Sequence, residues 1–161
     1  MSREFTERLP VQGLLRRVLR APLWLYRVHL EWLLGHQFLL LIHQGRKTGQ
    51  ARQTVLEVVH YDKATGTHVV ASGWGRGSDW YRNIQHTPQV IVRTGGARIA
   101  ACAETLPVDV AEGELRWYVQ HHPLRARELF RLMTGQPFDG TDAAIQRLAH
   151  RTPVVALRPQ E

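Results

Sequence analysis

Residues 38–53 read FLLLIHQGRKTGQARQ, and this stretch limits the folds open to the chain more than any other. An apolar run from Phe38 to Ile42 meets a turn bracketed by Gly45 and Gly49, and a second run, alternating in polarity, spans Thr54 to Tyr61, which reads as strands over 38–43 and 53–61. Two such runs separated by a short Gly-containing turn form a β-hairpin. The tip carries Arg46, Lys47 and Thr48, and Arg52 follows closely. Glycine lets the backbone turn sharply and approach a ligand. Arg and Lys supply charge and donors that suit phosphate or carboxylate, Arg in bidentate fashion. The turn is therefore expected to hold an anion, although any hairpin needs turn residues. It is not a Walker loop, which needs four residues between the first Gly and a Gly-Lys-Ser/Thr. No helix follows to lend its N-terminus to a phosphate.

A second segment, residues 69–83, reads VVASGWGRGSDWYRN. A strand runs into Gly73-Trp74-Gly75-Arg76-Gly77, and Ser78 or Asp79 is placed to cap a helix over 78–86. Further strands are expected at 67–72, 89–94, 97–106 and 152–157, with Gly95-Gly96 as a hairpin turn. Helical pattern fills 107–151, interrupted at Pro123 and Gly135. Six strands with short turns, one inserted helix and flanking helices fit a mainly β, α+β chain folded as a small barrel. Residues 1–36 read as an amphipathic helical entry, 37–106 as barrel, 107–151 as a helical region and 152–161 as the last strand and tail. All belong to one domain, for which 161 residues suffice.

The formal net charge is +7 and the pI about 10.5. Of 21 basic residues only Lys47 and Lys63 are lysines. This balance suits an anionic ligand, an anionic membrane or nucleic acid. The single cysteine, Cys102, excludes an intramolecular disulfide and a Cys-based metal cluster. His29, His36, His43, His60, His68, His86 and His150 show no metal-ligand spacing, so no metal is expected and they read as structural or exposed. Leu23 to Leu34 is too short and too charged to span a bilayer. A cytoplasmic chain is expected, with residues 13–34 packed on the barrel or, as the alternative, making a peripheral contact to an anionic membrane surface.

In order and spacing, four segments resemble the deazaflavin (F420)-dependent nitroreductase family of split β-barrel fold, related to FMN-binding barrels. They are Gly45 to Arg52, Ala71-Ser72-Gly73, Trp80-Tyr81-Arg82-Asn83 and Thr152 to Pro159, and the resemblance covers roughly residues 39–159. It implies an oxidoreductase that moves a hydride from reduced F420 to a quinone, an enone or a nitro compound. It also implies that Arg46, Lys47 and Arg52 hold the phosphate and oligoglutamate side of F420. Thr48 would add a hydroxyl, and Gly45 and Gly49 backbone access. Ser72 and Gly73 match positions beside the ring, and Trp80, Tyr81 and Asn83 match the segment that closes over the cofactor. Trp74 is placed to shape the substrate face. The family's Tyr-Pro pair near the ring is His122-Pro123 here, which makes His122 a candidate proton donor. Tyr118 is the second candidate, and Ser72 is counted with them as catalytic.

Two other readings stand beside this one. FMN or a haem-type ligand would keep the fold and use fewer of the three cations. A basic nucleic-acid-binding module fits the charge, but the arginines are spread along the chain and the aromatics cluster in one loop. Homodimerisation is expected from barrels of this type.

Overall fold

A computed structural model of the chain describes residues 36–161. The amphipathic entry and the membrane contact expected of residues 13–34 lie outside the described residues. In chain order the elements are β1 (Phe38–Gln44), β2 (Ala51–Asp62), β3 (Thr67–Ala71), α1 (Asp79–His86), β4 (Gln89–Thr94), β5 (Ala97–Thr105), α2 (Val108–His121), α3 (Pro123–Thr134), α4 (Asp142–Arg151) and β6 (Val154–Pro159). The strands are antiparallel and close into a barrel in the order β1-β2-β3-β6-β5-β4. Closure leaves no long open edge, the liability of an isolated sheet.

Most boundaries fall where the turn residues put them. Two differ in ways that matter. β2 starts at Ala51, not Gln53, because Gln44 pairs with Ala51 and His43 with Arg52. Arg52 is thus a strand residue directly across from His43. The tip is closed by Gly45 N–H donating to the Gln50 carbonyl (2.8 Å) and Gly49 N–H to the Gly45 carbonyl (2.8 Å). The last strand begins at Val154 rather than Thr152. Thr152 caps α4 instead, its N–H bound to the Leu148 carbonyl, and Arg158 and Pro159 pair with Cys102 and Ala101.

Alternation along the strands separates two cores. Leu39, Leu41, Val58, Val70, Val90, Val92, Val155 and Leu157 fill the barrel, and Trp80, Tyr81 and Ile84 of α1 close it. Val59, Val69 and Val154 face outward onto Leu115 and Tyr118 of α2, Phe130 of α3 and Ile145 of α4. Each fully buried aliphatic side chain contributes about 1.5–3 kcal/mol. A register shift between Val58 and His60 bends β2 where its outer face meets α2. With helices α2–α4 stacked on the β2-β3-β6 wall, the β1–β2 turn and the start of α1 meet at the rim.

Candidate functional site

The turn between β1 and β2 is fixed from both sides. Within it, a Cβ at Gly45 would stand 3.2 Å from Thr48 Oγ1 and 3.3 Å from the Gln50 carbonyl, so a side chain there would press on both and the turn would have to give by a few tenths of an ångström. Thr48 Oγ1 accepts the Gln50 N–H at 3.3 Å, which leaves its own proton to donate. Outside the turn, Arg46 reaches α1. Its backbone N–H and its Nη1 both donate to Asn83 Oδ1, at 3.1 and 2.9 Å, and its Nη2 meets Asp79 Oδ1 at 3.2 Å.

Asn83 passes the contact inward. Its Nδ2 donates to Nδ1 of His43 on β1 at 3.1 Å. His43 is buried, and burial together with the neighbouring Arg52 guanidinium pushes its pKa down to about 4. The imidazole is therefore neutral near pH 7, with Nδ1 as acceptor and the proton on Nε2. This histidine read as merely structural or exposed from its isolated place in the sequence. Its role depends on Asn83, 40 residues away.

Between the turn and α1 lies a cleft of about 720 Å³. Arg46, Lys47, Thr48 and Arg52 line it, together with Trp74, Ser78, Asp79 and Trp80. Arg46 already has an internal carboxylate and an amide. Among the described residues, Lys47 and Arg52 have no ion-pair partner and are exposed. Two solvated cations, a hydroxyl and a glycine backbone form a donor set for a polyanion. Asp79 is the exception, a carboxylate on a mostly exposed side chain (85%) inside a basic cleft.

The other expected site residues are placed differently. Ser72 is fully buried; its Oγ donates to the Gly75 carbonyl (2.7 Å) and bonds Ser78 Oγ (2.7 Å). It pins the glycine loop and does not line the cleft. The Ser78 side chain is drawn to Ser72 and does not cap α1. Gly73 packs towards Met133 of α3. Trp80 lines the cleft while most of it is buried, whereas Tyr81 turns away and bonds Thr105 at 3.2 Å.

Tyr118 and His122 lie elsewhere. Tyr118 is fully buried between α2 and the outer face of β2, and its hydroxyl donates to Glu57. Burial and that bond push its pKa well above the usual tyrosine range. Arg125 closes the group, its Nε 3.1 Å from Glu57 Oε1. His122 sits at the α2–α3 junction, part-exposed, its pKa lowered by burial and by Arg125. Neither residue lines the cleft. The ion pair of Glu57 and Arg125 escaped sequence reading because 68 residues separate its members. Among the described residues no cluster of three metal-ligating side chains occurs, and no helix is long and apolar enough to cross a membrane.

Solved structures share this architecture. An F420-H2 dependent reductase, FDR-A, is 20% identical over 77% of this chain and 96% of its own, with a TM-score of 0.52. A chain described as a domain-swapped dimer is 21% identical over 92% of this chain and 96% of its own, TM-score 0.54. An FMN-binding protein related to pyridoxamine 5'-phosphate oxidase, from Nostoc punctiforme PCC 73102, is 12% identical over 94% of this chain and 81% of its own, TM-score 0.50. At these identities the likeness shows the split-barrel fold. No curated protein sequence matches the chain. The family model of F420H(2)-dependent quinone reductase matches residues 27–127, which is more than half of the sequence. The chain belongs to the F420H(2)-dependent quinone reductase family and is an oxidoreductase that uses the deazaflavin F420.

Proposed function

We propose that the cleft between the β1–β2 turn and α1 takes F420, and that the acceptor reduced there is a quinone. The observation that carries this reading is the pair Lys47 and Arg52, solvated and without a partner carboxylate at the rim of that cleft. They would hold the phosphate and oligoglutamate chain, with Thr48 donating its free proton and Gly45 leaving room for the backbone to approach. Arg46 would act mainly through position, since Asn83 and Asp79 already engage it. Trp80 and Asn83 would form the inner wall that excludes water. Bound in its reduced form, F420 supplies the hydride.

Side-chain acid catalysis is not required by this reading. Ser72 and Tyr118 commit their protons to the Gly75 carbonyl and to Glu57, and His122 lies off the cleft. The proton for the product then comes from solvent at the open mouth. His122→Ala should leave kcat within about twofold, the range of a surface substitution; a loss of a hundredfold would reinstate His122 as general acid.

The whole chain would work as one barrel unit, in the cytoplasm. The domain-swapped neighbour supports pairing with a second copy, which light scattering after gel filtration tests. The Leu-, Trp- and Arg-rich composition of residues 13–34 supports contact with an anionic membrane, which liposome flotation of the full chain against one lacking residues 1–35 tests. Fluorescence titration with F420, and separately with FMN, tests the central reading. Saturable F420 binding weakened by Lys47→Ala and Arg52→Ala is expected. FMN binding indifferent to both substitutions would sink it.

A further inference from the structure

The contacts around Asn83 fix where a proton sits on a neighbouring ring. Arg46 has only donors to offer there, from its backbone N–H and its guanidinium, and both go to one oxygen of Asn83, at 3.1 and 2.9 Å. The amide therefore cannot turn over, and its NH2 group must face His43, 3.1 Å away. Nδ1 of His43 then has to accept, which in a neutral ring leaves the proton on Nε2. The ring is neutral near pH 7, because burial and the Arg52 guanidinium press its pKa down to about 4. Donation runs one way, from the turn through α1 to β1, and ends in a single imidazole N–H.

That N–H is unspent. Nε2 of His43 makes no hydrogen bond with a described residue, although the residue is only 5% exposed. Leaving a buried donor without a partner costs about 1–3 kcal/mol, which an acceptor reaching it recovers. His43 borders two hollows. One is the cleft; the other, of about 370 Å³, lies where β1 and β4 part beyond the Ile42–Ile91 pair. No charged side chain lines the second hollow, whereas Arg46, Lys47 and Arg52 line the cleft. Arg52 is also the direct cross-strand partner of His43, so the two side chains leave the sheet on the same face. An oxygen that meets both a guanidinium and this N–H is best matched when it is anionic. We infer that His43 is a further ligand-binding residue of the cleft, donating its Nε2–H to an anionic oxygen of the cofactor beside Arg52. This rests on the reading of the cleft as the F420 site, and it adds a neutral, pre-aimed donor to the cations there. Phosphate and carboxylate share the required chemistry, and the choice of probes separates them.

The two amide replacements of a histidine divide its nitrogens. His43→Asn keeps an acceptor near the place of Nδ1 and removes the Nε2–H; His43→Gln keeps an N–H near the place of Nε2 and removes the acceptor. Nitrogen-15 histidine spectra of the free full chain near pH 7 should show His43 protonated on Nε2. A proton on Nδ1 would overturn the inference before any ligand is added. F420, the deazaflavin ending in ribityl phosphate, and the same deazaflavin ending in a free ribityl hydroxyl are then titrated into wild type and both variants. His43→Asn should weaken F420 binding about tenfold, keep the urea midpoint near wild type and leave the phosphate-free ligand unmoved. His43→Gln should lower the urea midpoint and retain more of the F420 affinity. A matching loss for the phosphate-ended ligand assigns the oxygen to phosphate; a loss confined to F420 assigns it to a glutamate carboxylate. No F420 binding in the wild type would defeat the reading of the cleft and this inference with it. Equal F420 affinity in wild type and His43→Asn would overturn the role of His43 alone. So would an equal loss for F420 and the phosphate-free ligand, which would place the effect at the ring.

Discussion

One oxygen atom, Asn83 Oδ1, accepts both the backbone N–H and the Nη1 of Arg46, at 3.1 and 2.9 Å. The backbone bond fixes where the turn stands, and the side-chain bond fixes where its first cation points. Because the same amide also donates to His43, α1, the turn and β1 share a single hub. Asn83→Ala leaves a part-buried guanidinium without its amide partner and a buried imidazole without its donor. Each lost partner costs about 1–3 kcal/mol. Urea unfolding should show a loss of that order, together with weaker F420 binding; unchanged stability would mean that the hub is decorative.

The three cations should separate by function. Lys47→Ala and Arg52→Ala should each weaken F420 binding about tenfold, or about 1.4 kcal/mol, and leave the urea midpoint nearly unmoved. Arg46→Ala should instead lower the midpoint. Equal effects of all three on affinity, with none on stability, would show that Arg46 binds the ligand directly.

Asp79 puts a negative charge where a polyanion must come. Its ion pair with Arg46 at 3.2 Å is largely solvated, and such pairs contribute at most about 1 kcal/mol. Asp79→Asn should therefore tighten F420 binding about two- to fivefold, with the largest gain at low salt. Weaker binding in this variant would mean that Asp79 is needed to aim Arg46.

Stability should fall as the pH drops from about 6.5 to about 4. His43 and His68 are both buried, and burial pushes each pKa down to about 4. The unfolded chain binds protons first, so the contribution is complete above pH 6.5 and lost as pH falls through the folded pKa, up to roughly 3 kcal/mol apiece. His68 Nε2 has no hydrogen-bond partner, and the ring stacks on Tyr61 at 4.4 Å. His68→Leu should flatten the decline in urea midpoint between pH 7 and pH 4.5. An unaltered slope would place the acid sensitivity elsewhere.

Glu57 anchors the helical layer, holding Tyr118 of α2 and Arg125 of α3 with one oxygen. Glu57→Ala strands a half-buried guanidinium and should cost about 3 kcal/mol. Glu57→Gln, which keeps an acceptor, should cost less. Protease sensitivity rising in α3 before the barrel would confirm that the clamp is local.

The strands were legible because turn chemistry, mostly glycine or proline, bounds them, and each is a short apolar or alternating run. Gly95-Gly96 and Gly45 to Gly49 carry that information within a few residues. The basic β1–β2 turn was legible for the same reason. Its internal restraint was not, because Asn83 lies 37 residues from Arg46, and the motif that marks Asn83 gives no sign of that contact. Ser72 illustrates a different case. Its motif pointed to the ring, but a hydroxyl between Gly75 and Ser78 is consumed by the loop it stabilises. Local composition shows which groups exist; only closure of the barrel decides which remain unspent.

The strand order has a consequence for biosynthesis. β6 lies between β3 and β5 and bonds both, yet it follows every other described strand in the chain. While the ribosome still holds residues 152–159, β3 and β5 face each other across a slot with two unsatisfied edges. The barrel cannot lock before that segment is released, so a nascent chain passes through an open, adhesive form. A stop codon at Arg151 should yield inclusion bodies rather than a smaller working enzyme.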